Sequence, residues 1–119
     1  MKILIVDDSK AMRMIVRRVL NELEFDEPEY LEASNGLEGI AAIKEHQPDL
    51  VLSDWNMPEM NGIEMLEAIN QEGLSVKLGF VTSESQDSFK ERAMDAGALF
   101  LISKPFNADT FRRALGQFV

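Results

Sequence analysis

Cysteine is absent from the sequence, and tryptophan, tyrosine and histidine each occur once among the 119 residues. Without cysteine the protein has no disulfide framework, no thiolate nucleophile and no cysteine-ligated metal. Long apolar runs are missing too: the N-terminal run from Ile3 to Val6 stops at Asp7 and is far shorter than a signal sequence or a membrane span. We therefore expect a soluble protein located in the cytoplasm.

Basic residues are few relative to acidic ones. The 12 Lys and Arg against 21 Asp and Glu give a formal net charge of -9. Such a field repels phosphate backbones and anionic membrane surfaces, so we expect neither nucleic acid nor membrane as a direct partner. The composition is otherwise that of an ordinary globular protein, and the length suits one domain. We therefore predict a single domain over residues 1–119.

Short apolar runs alternate with longer amphipathic stretches along the chain. Strands are predicted at residues 3–6, 29–33, 50–53, 77–82 and 99–103, and helices at about 12–23, 36–45, 62–71, 84–96 and 107–118. The run at 29–33 alternates with glutamates, which indicates an edge strand. Because parallel neighbours need a crossover and each crossover here is helical, we predict an α/β fold with a parallel sheet covered on both faces.

The first predicted helix also carries a basic stripe. Its apolar positions run from Met12 to Leu23 at helical spacing, while Lys10, Arg13 and Arg17 occupy the other side. Acidic residues follow in the next stretch of sequence, so we interpret the basic stripe as a solvated face.

Polar residues follow four of the predicted strands. They are Asp7 and Asp8 after the first, Asp54 after the third, Thr82 and Ser83 at the end of the fourth, and Ser103, Lys104 and Pro105 at the end of the fifth. Each alone is explained by a helix cap, a turn, a strand end or a surface charge. In open parallel sheets, however, the ligand site lies beyond the carboxyl ends of the strands. We therefore expect these side chains to meet at one edge.

Three carboxylates at one edge repel one another unless a cation is present. All-oxygen ligation with space for water and phosphate oxygens suits Mg²⁺. The ammonium group of Lys104 and the hydroxyl of Thr82 suit a phosphoryl group that is transferred in line. A carboxylate is already ionised at neutral pH and can accept that group as an acyl phosphate. Asp54, central among the strands, is the expected acceptor.

Four motifs stand in order along the chain: Val6-Asp7-Asp8-Ser9, Ser53-Asp54-Trp55-Asn56-Met57-Pro58 with Asn61-Gly62, Thr82-Ser83-Glu84, and Lys104-Pro105-Phe106. Together they are a strong signal, although any one alone is weak. The chain resembles a response-regulator receiver domain over nearly its whole length, and more narrowly the single-domain, CheY-like chemotaxis type. The resemblance implies a flavodoxin-like, doubly wound (βα)5 fold whose five parallel strands have the order 2-1-3-4-5.

The resemblance also implies a signalling phosphoacceptor rather than an enzyme with a separate substrate. On this resemblance, Asp54 is expected to take a phosphoryl group from a histidine kinase in a Mg²⁺-dependent, self-catalysed reaction and later to lose it by autodephosphorylation. The expected Mg²⁺ ligands are Asp7, Asp8, Asp54 and the backbone carbonyl of Asn56. The residues expected to bind the phosphoryl oxygens are Asn56, Thr82, Ser83 and Lys104.

Further implications concern timing and structure. Asn56 and Glu84 tune dephosphorylation, and the pair is similar to that of fast-resetting chemotaxis members. The Lys104–Pro105 bond is implied to be cis, and Gly62 is needed in the turn before the third helix. The downstream protein binds the face made by the fourth helix, fifth strand and fifth helix.

The sequence departs from the family pattern at two positions. Ser83 stands where the family usually has alanine. Leu101 stands at the usual aromatic switch position that works with Thr82, and the neighbouring Phe100 is expected to point to the opposite face of the sheet and join the core.

Other interpretations remain open at this point. A Mg²⁺-dependent phosphohydrolase usually has two acids one residue apart on the first strand, whereas Asp7 and Asp8 are adjacent. A receiver fold that acts without phosphorylation is kept open by Leu101, and so is a receiver trimmed from a longer regulator. We expect a monomer, with a dimer as the alternative. The kinase and target stay open, since the segment Ser85-Gln86-Asp87 lacks the lysines common in flagellar-switch binders.

Overall fold

The computed structural model of the protein describes residues 1–84 and 86–118. Within these residues five strands alternate with five helices. The strands are β1 (Lys2–Val6), β2 (Glu29–Ala33), β3 (Leu50–Ser53), β4 (Leu78–Thr82) and β5 (Leu101–Ser103), and the helices are α1 (Lys10–Asn21), α2 (Gly36–His46), α3 (Gly62–Gln71), α4 (Asp87–Asp95) and α5 (Ala108–Leu115). In the described part of the chain no helix has the length and apolar character to cross a membrane.

The predicted elements are confirmed, but several are shorter than expected. Helix α4 begins at Asp87 rather than near Glu84, because the Glu84 N–H donates to Thr82 Oγ1 and Gln86 is the N-cap. Helix α5 begins after its N-cap, Asn107, and ends before Gly116. Ser85, in the predicted start of the fourth helix, and Val119, the predicted end of the domain, lie outside the described residues.

All five strands are parallel and pair in the order β2-β1-β3-β4-β5. This order confirms the predicted flavodoxin-like fold and the edge position of β2. The register places Val6 of β1 beside Ser53 of β3. The ladder continues one residue further, since the Asp54 N–H donates to the Val6 carbonyl at 2.9 Å. The residues after β1 and β3 therefore share one edge of the sheet.

Alternate residues of the strands fill two separate cores, as expected for a sheet covered on both faces. Leu4, Val6, Val51, Leu78 and Phe80 pack against α2, α3 and α4. On the other face, the apolar residues that pack with α1 and α5 are Ile3, Ile5, Leu50, Leu52, Val81 and Ile102.

Phe100 belongs to the core on the α1 and α5 side, whereas Leu101 packs against the opposite core. This confirms that the two side chains point to different faces. The Phe100 ring covers Gly79 of β4 so closely that a Cβ at position 79 would overlap it. The ring also lies 6.1 Å from the Phe118 ring, centroid to centroid. The Phe100 ring thus fills the space beside Gly79 that a side chain would otherwise occupy.

Candidate functional site

The turn after β1 brings two carboxylates to the carboxyl edge of the sheet. Asp7 is 4% exposed, and its Oδ1 accepts a hydrogen bond from the Ser9 N–H at 2.9 Å. Ser9, not Asp8, caps α1, since its Oγ accepts from the Met12 N–H at 3.2 Å. Asp8 is exposed, and its carboxylate does not serve as the cap.

Asp54 lies at the start of the loop after β3, and both of its carboxylate oxygens are engaged. Oδ1 accepts from the Trp55 N–H at 2.6 Å, and Oδ2 accepts from Lys104 Nζ at 3.1 Å. The same ammonium group lies 3.4 Å from Asp7 Oδ2. Lys104, 97 residues away from Asp7 along the chain, thus joins the ends of β1, β3 and β5.

The peptide bond between Lys104 and Pro105 is cis, which confirms the expectation from the family resemblance. The Lys104 N–H donates to the Thr82 carbonyl at 2.9 Å, so the lysine backbone stays paired with the end of β4.

Asp7, Asp8 and Asp54 each offer a carboxylate oxygen, and these oxygens lie within 4.8 Å of one another. Lys104 supplies one positive charge to two of the three carboxylates, which leaves an excess of negative charge. The donor set is all oxygen and hard, with one exposed member, and so it fits Mg²⁺ with bound water in the remaining positions.

Burial raises the pKa of the Asp7 carboxyl above its usual value, and the negative charge of Asp54 raises it further. The Ser9 N–H and the Lys104 ammonium group act in the opposite direction without reversing the shift. The folded protein therefore binds the Asp7 proton more tightly than the unfolded chain does.

An Asp7→Asn variant should be more stable than the natural sequence at neutral pH without divalent cations, by a few degrees in melting temperature. With a raised folded pKa, the free energy of unfolding falls as pH rises from the ordinary Asp value through the folded value. The advantage of the variant should therefore shrink as pH is lowered through that window. Thermal melts in EDTA across the acidic range measure this, and an advantage that grew on acidification would contradict it.

Asn56 and Glu84 meet above the strand ends. Asn56 Nδ2 donates to Glu84 Oε1 at 2.8 Å, which joins the loop after β3 to the loop after β4. Thr82 is fully buried, and its Oγ1 accepts from the Glu84 N–H at 3.2 Å. Ser83, between them, is exposed. The structure thus brings the predicted phosphoryl-binding residues to the same edge as the three aspartates.

Gly62 opens α3 directly behind Asp54. A Cβ at position 62 would overlap the Asp54 carbonyl oxygen and would lie 2.7 Å from Phe80 Cε1. The Gly62 N–H also donates to the Trp55 carbonyl at 2.8 Å. Glycine is needed here, as expected, but the reason is the close approach of two backbone segments rather than an unusual φ angle.

Residues 3–116 match the family model of the response regulator receiver domain. The chain belongs to this family. The match covers all four motifs and the whole carboxyl edge of the sheet, and it identifies a two-component response regulator.

The receiver domain has relatives among chemotaxis proteins. It is 39% identical to the chemotaxis protein CheY of Bacillus subtilis, with 98% of this chain and 95% of the relative covered. It is 38% identical to the chemotaxis protein CheY-3 of Vibrio cholerae, with 98% and 90% covered. The solved structure of chemotaxis protein CheY4 of Vibrio cholerae superposes with a TM-score of 0.86 at 29% identity, covering 99% of this chain and 98% of that one.

Trp55 follows the predicted acceptor directly in the chain and is buried in the receiver. Its peptide N–H donates to Asp54 Oδ1, and the residue as a whole is 3% exposed. The indole lies 5.0 Å from the Phe80 ring and meets the Phe89 ring of α4 edge-on at 5.1 Å. One residue thus contacts both the predicted acceptor and a helix of the predicted partner face.

The interpretation of the α1 basic stripe as a solvated face is wrong for Arg13. Its side chain is 15% exposed and donates to the Asp7 carbonyl and to Glu32. Arg17 keeps about half of its side chain in solvent and lies over the Tyr30 ring. The helical pattern could not separate these two arginines, because the difference depends on the turn and strand that α1 packs beside.

Proposed function

We propose that this receiver domain takes a phosphoryl group from a histidine kinase onto Asp54 and passes the signal to a protein target, as in chemotaxis. The observation that carries the proposal is the contact of Lys104 Nζ with both Asp54 and Asp7 inside a cluster of three carboxylates. This is an arrangement that neutralises and orients an incoming phosphoryl group. The relatives named CheY support the chemotaxis role.

In the proposed reaction a carboxylate oxygen of Asp54 attacks phosphorus in line, and the bond from phosphorus to the donor nitrogen or oxygen breaks. The Trp55 N–H on Oδ1 and Lys104 on Oδ2 fix the orientation of the Asp54 carboxylate. Bound Mg²⁺, held by Asp7, Asp8, Asp54 and the Asn56 carbonyl, would neutralise charge on the phosphoryl oxygens.

Thr82, Ser83, Lys104 and Asn56 are the proposed ligands of the phosphoryl oxygens. The Thr82 hydroxyl now accepts a hydrogen bond from the Glu84 N–H. To bind a phosphoryl oxygen it has to donate its own proton, which it can do with or without that hydrogen bond, because a hydroxyl both donates and accepts. The hydrogen bond from Asn56 to Glu84 joins the loops after β3 and β4 beside the residues that would hold the phosphoryl group. The two residues therefore control the rate of self-catalysed dephosphorylation in this proposal, and a fast reset stays a prediction.

The partner face consists of α4, β5 and α5 in this proposal. Leu101, at the usual aromatic position, packs against the same core as Trp55 and Phe89. A movement of the loop that carries Asp54 would be transmitted to α4 through the contact of the Trp55 indole with Phe89. The monomeric state and the cytoplasmic location expected from the sequence belong to the same proposal and stay predictions.

Incubation of the protein with acetyl phosphate and Mg²⁺ tests the proposal. We expect a phosphoryl group on the peptide that contains Asp54, and no labelling in excess EDTA. A folded protein that takes up no label under either condition would favour a receiver fold that acts without phosphorylation. Steady turnover of an unrelated phosphoester would instead indicate a phosphohydrolase.

A further inference from the structure

Arg13 connects the turn between β1 and α1 to the edge strand β2. Its Nη1 donates to the carbonyl oxygen of Asp7 at 2.6 Å, and its Nε donates to Glu32 Oε1 at 2.8 Å. The side chain is mostly buried, whereas the Glu32 side chain is 36% exposed. The guanidinium group is therefore held between a backbone oxygen of the site and a carboxylate outside it.

The oxygen that Arg13 holds belongs to the peptide bond that joins Asp7 to Asp8. A peptide unit is planar, so fixing its carbonyl oxygen also fixes the direction in which the chain enters Asp8. The Asp7 N–H, on the other side of the residue, is fixed by the Ala33 carbonyl at 3.0 Å. The backbone is thereby restrained on both sides of Asp7.

Asp8 depends on this restraint more than the other two aspartates do. The carboxylates of Asp7 and Asp54 each accept two hydrogen bonds from protein groups. Among the described residues, none of the hydrogen bonds reaches the exposed carboxylate of Asp8. The protein therefore restrains this carboxylate through the backbone that carries it, and Arg13 holds the peptide that enters Asp8.

We propose that Arg13 is a positioning residue for the Asp8 carboxylate, oriented by Glu32, and that it prepares the cluster to bind a divalent cation. The inference rests on the proposed function to the extent that Mg²⁺ is the cation bound. Arg13 touches no carboxylate of the cluster, so its action passes through the Asp7–Asp8 peptide.

Positioning and simple electrostatics predict opposite changes in Mg²⁺ affinity when Arg13 is replaced. A guanidinium group beside a cation site repels the cation, so removal of its charge alone should tighten Mg²⁺ binding. Loss of a positioning contact should weaken binding, by about 10-fold for a residue that holds a metal ligand from outside. The two effects act in opposite directions.

The test is a Mg²⁺ titration followed by the fluorescence of Trp55, whose peptide N–H bonds to Asp54. We expect an apparent dissociation constant about 10-fold higher for Arg13→Gln than for the natural sequence. Glu32→Gln should raise it by less, since Arg13 keeps its bond to the Asp7 carbonyl. Arg13→Lys keeps the charge but has a single donor group. Its apparent dissociation constant should lie between those of Glu32→Gln and Arg13→Gln.

Arg17→Gln is the matched control. It removes the same charge from the same helix, but Arg17 lies over the Tyr30 ring and reaches Glu32 only at 4.0 Å. Its Mg²⁺ affinity should be unchanged or slightly higher. In an Asp8→Asn background the effect of Arg13→Gln should disappear, because the side chain that it positions no longer carries a charge.

An unchanged or tighter affinity in Arg13→Gln overturns the inference, as does an equal loss of affinity with and without Asp8→Asn. Thermal melts in EDTA report folding separately, and Arg13→Lys with Glu32→Gln still decides the question if Arg13→Gln does not fold. A natural sequence that gives no Mg²⁺ response by fluorescence or calorimetry would overturn both this inference and the metal-dependent function. A normal response in that protein with no effect of Arg13 would overturn the inference alone.

Discussion

Replacement of Asp54 by asparagine is expected to reduce phosphoryl uptake from acetyl phosphate to background. The amide is uncharged and lacks the carboxylate oxygen that forms the acyl phosphate. Asp7 also contacts Lys104 and a loop N–H, but only Asp54 follows the central strand, β3. The measurement is incorporation of label with Mg²⁺ present, followed by identification of the modified peptide.

The variant should fold at least as well as the natural sequence, since it removes one of three mutually repelling carboxylates. Asp26→Asn is a suitable control because Asp26 is exposed in the connection between α1 and β2, at the opposite edge of the sheet. Its uptake should match that of the natural sequence. If Asp54→Asn were labelled as fast as Asp26→Asn, Asp54 could not be the acceptor.

The second large effect is expected at Gly62. In Gly62→Ala the new methyl group would collide with the Asp54 carbonyl, a backbone atom that cannot rotate away, and with the fully buried Phe80 ring. Overpacking of this kind costs about 1–3 kcal/mol, occasionally more. Urea denaturation should show a lower midpoint at unchanged slope. Because relief of the collision displaces Asp54, phosphoryl uptake should fall as well, even where the protein remains folded.

Gly39→Ala is the matched control for Gly62→Ala. Gly39 lies inside α2, and the added methyl group would meet the Sδ of Met65 at 2.6 Å, the flexible end of a side chain. Alanine also favours a helix interior over glycine by about 1 kcal/mol. Its stability should change less than that of Gly62→Ala, and uptake should be retained. Equal losses in both variants would mean that the Asp54 carbonyl contact is not the cause.

The fold and the general position of the site were accessible from the sequence because both depend on local patterns. A strand is predicted to end where a short apolar run gives way to charged residues. A parallel sheet then brings the carboxyl ends of its strands to one edge. Asp7, Asp54 and Lys104 therefore meet as expected, although 97 residues separate the first from the last. The edge position of β2 followed in the same way from its alternation with glutamates.

Side-chain contacts between different helices, strands and loops could not be predicted from these local patterns. Arg13 and Arg17 lie four residues apart on one helix, and only the packing of α1 beside Asp7 and Glu32 separates a buried arginine from a solvated one. The burial of Trp55 depends on Phe89, which the sequence places only on a helix of mixed polarity. The need for Gly62 was predicted, but its cause, the approach of the Asp54 carbonyl oxygen, depends on how the loop after β3 folds back onto α3.

The pairing of Gly79 with Phe100 has a consequence for how sequences of this kind can vary. Gly79 lies in β4 and Phe100 lies directly before β5, and the two positions share one volume, which the Phe100 ring fills while Gly79 contributes only backbone. A single substitution that adds bulk at 79, or removes it at 100, leaves either a collision or a void. Substitutions at positions 79 and 100 should therefore be tolerated mainly as compensating pairs, in which one residue becomes larger as the other becomes smaller.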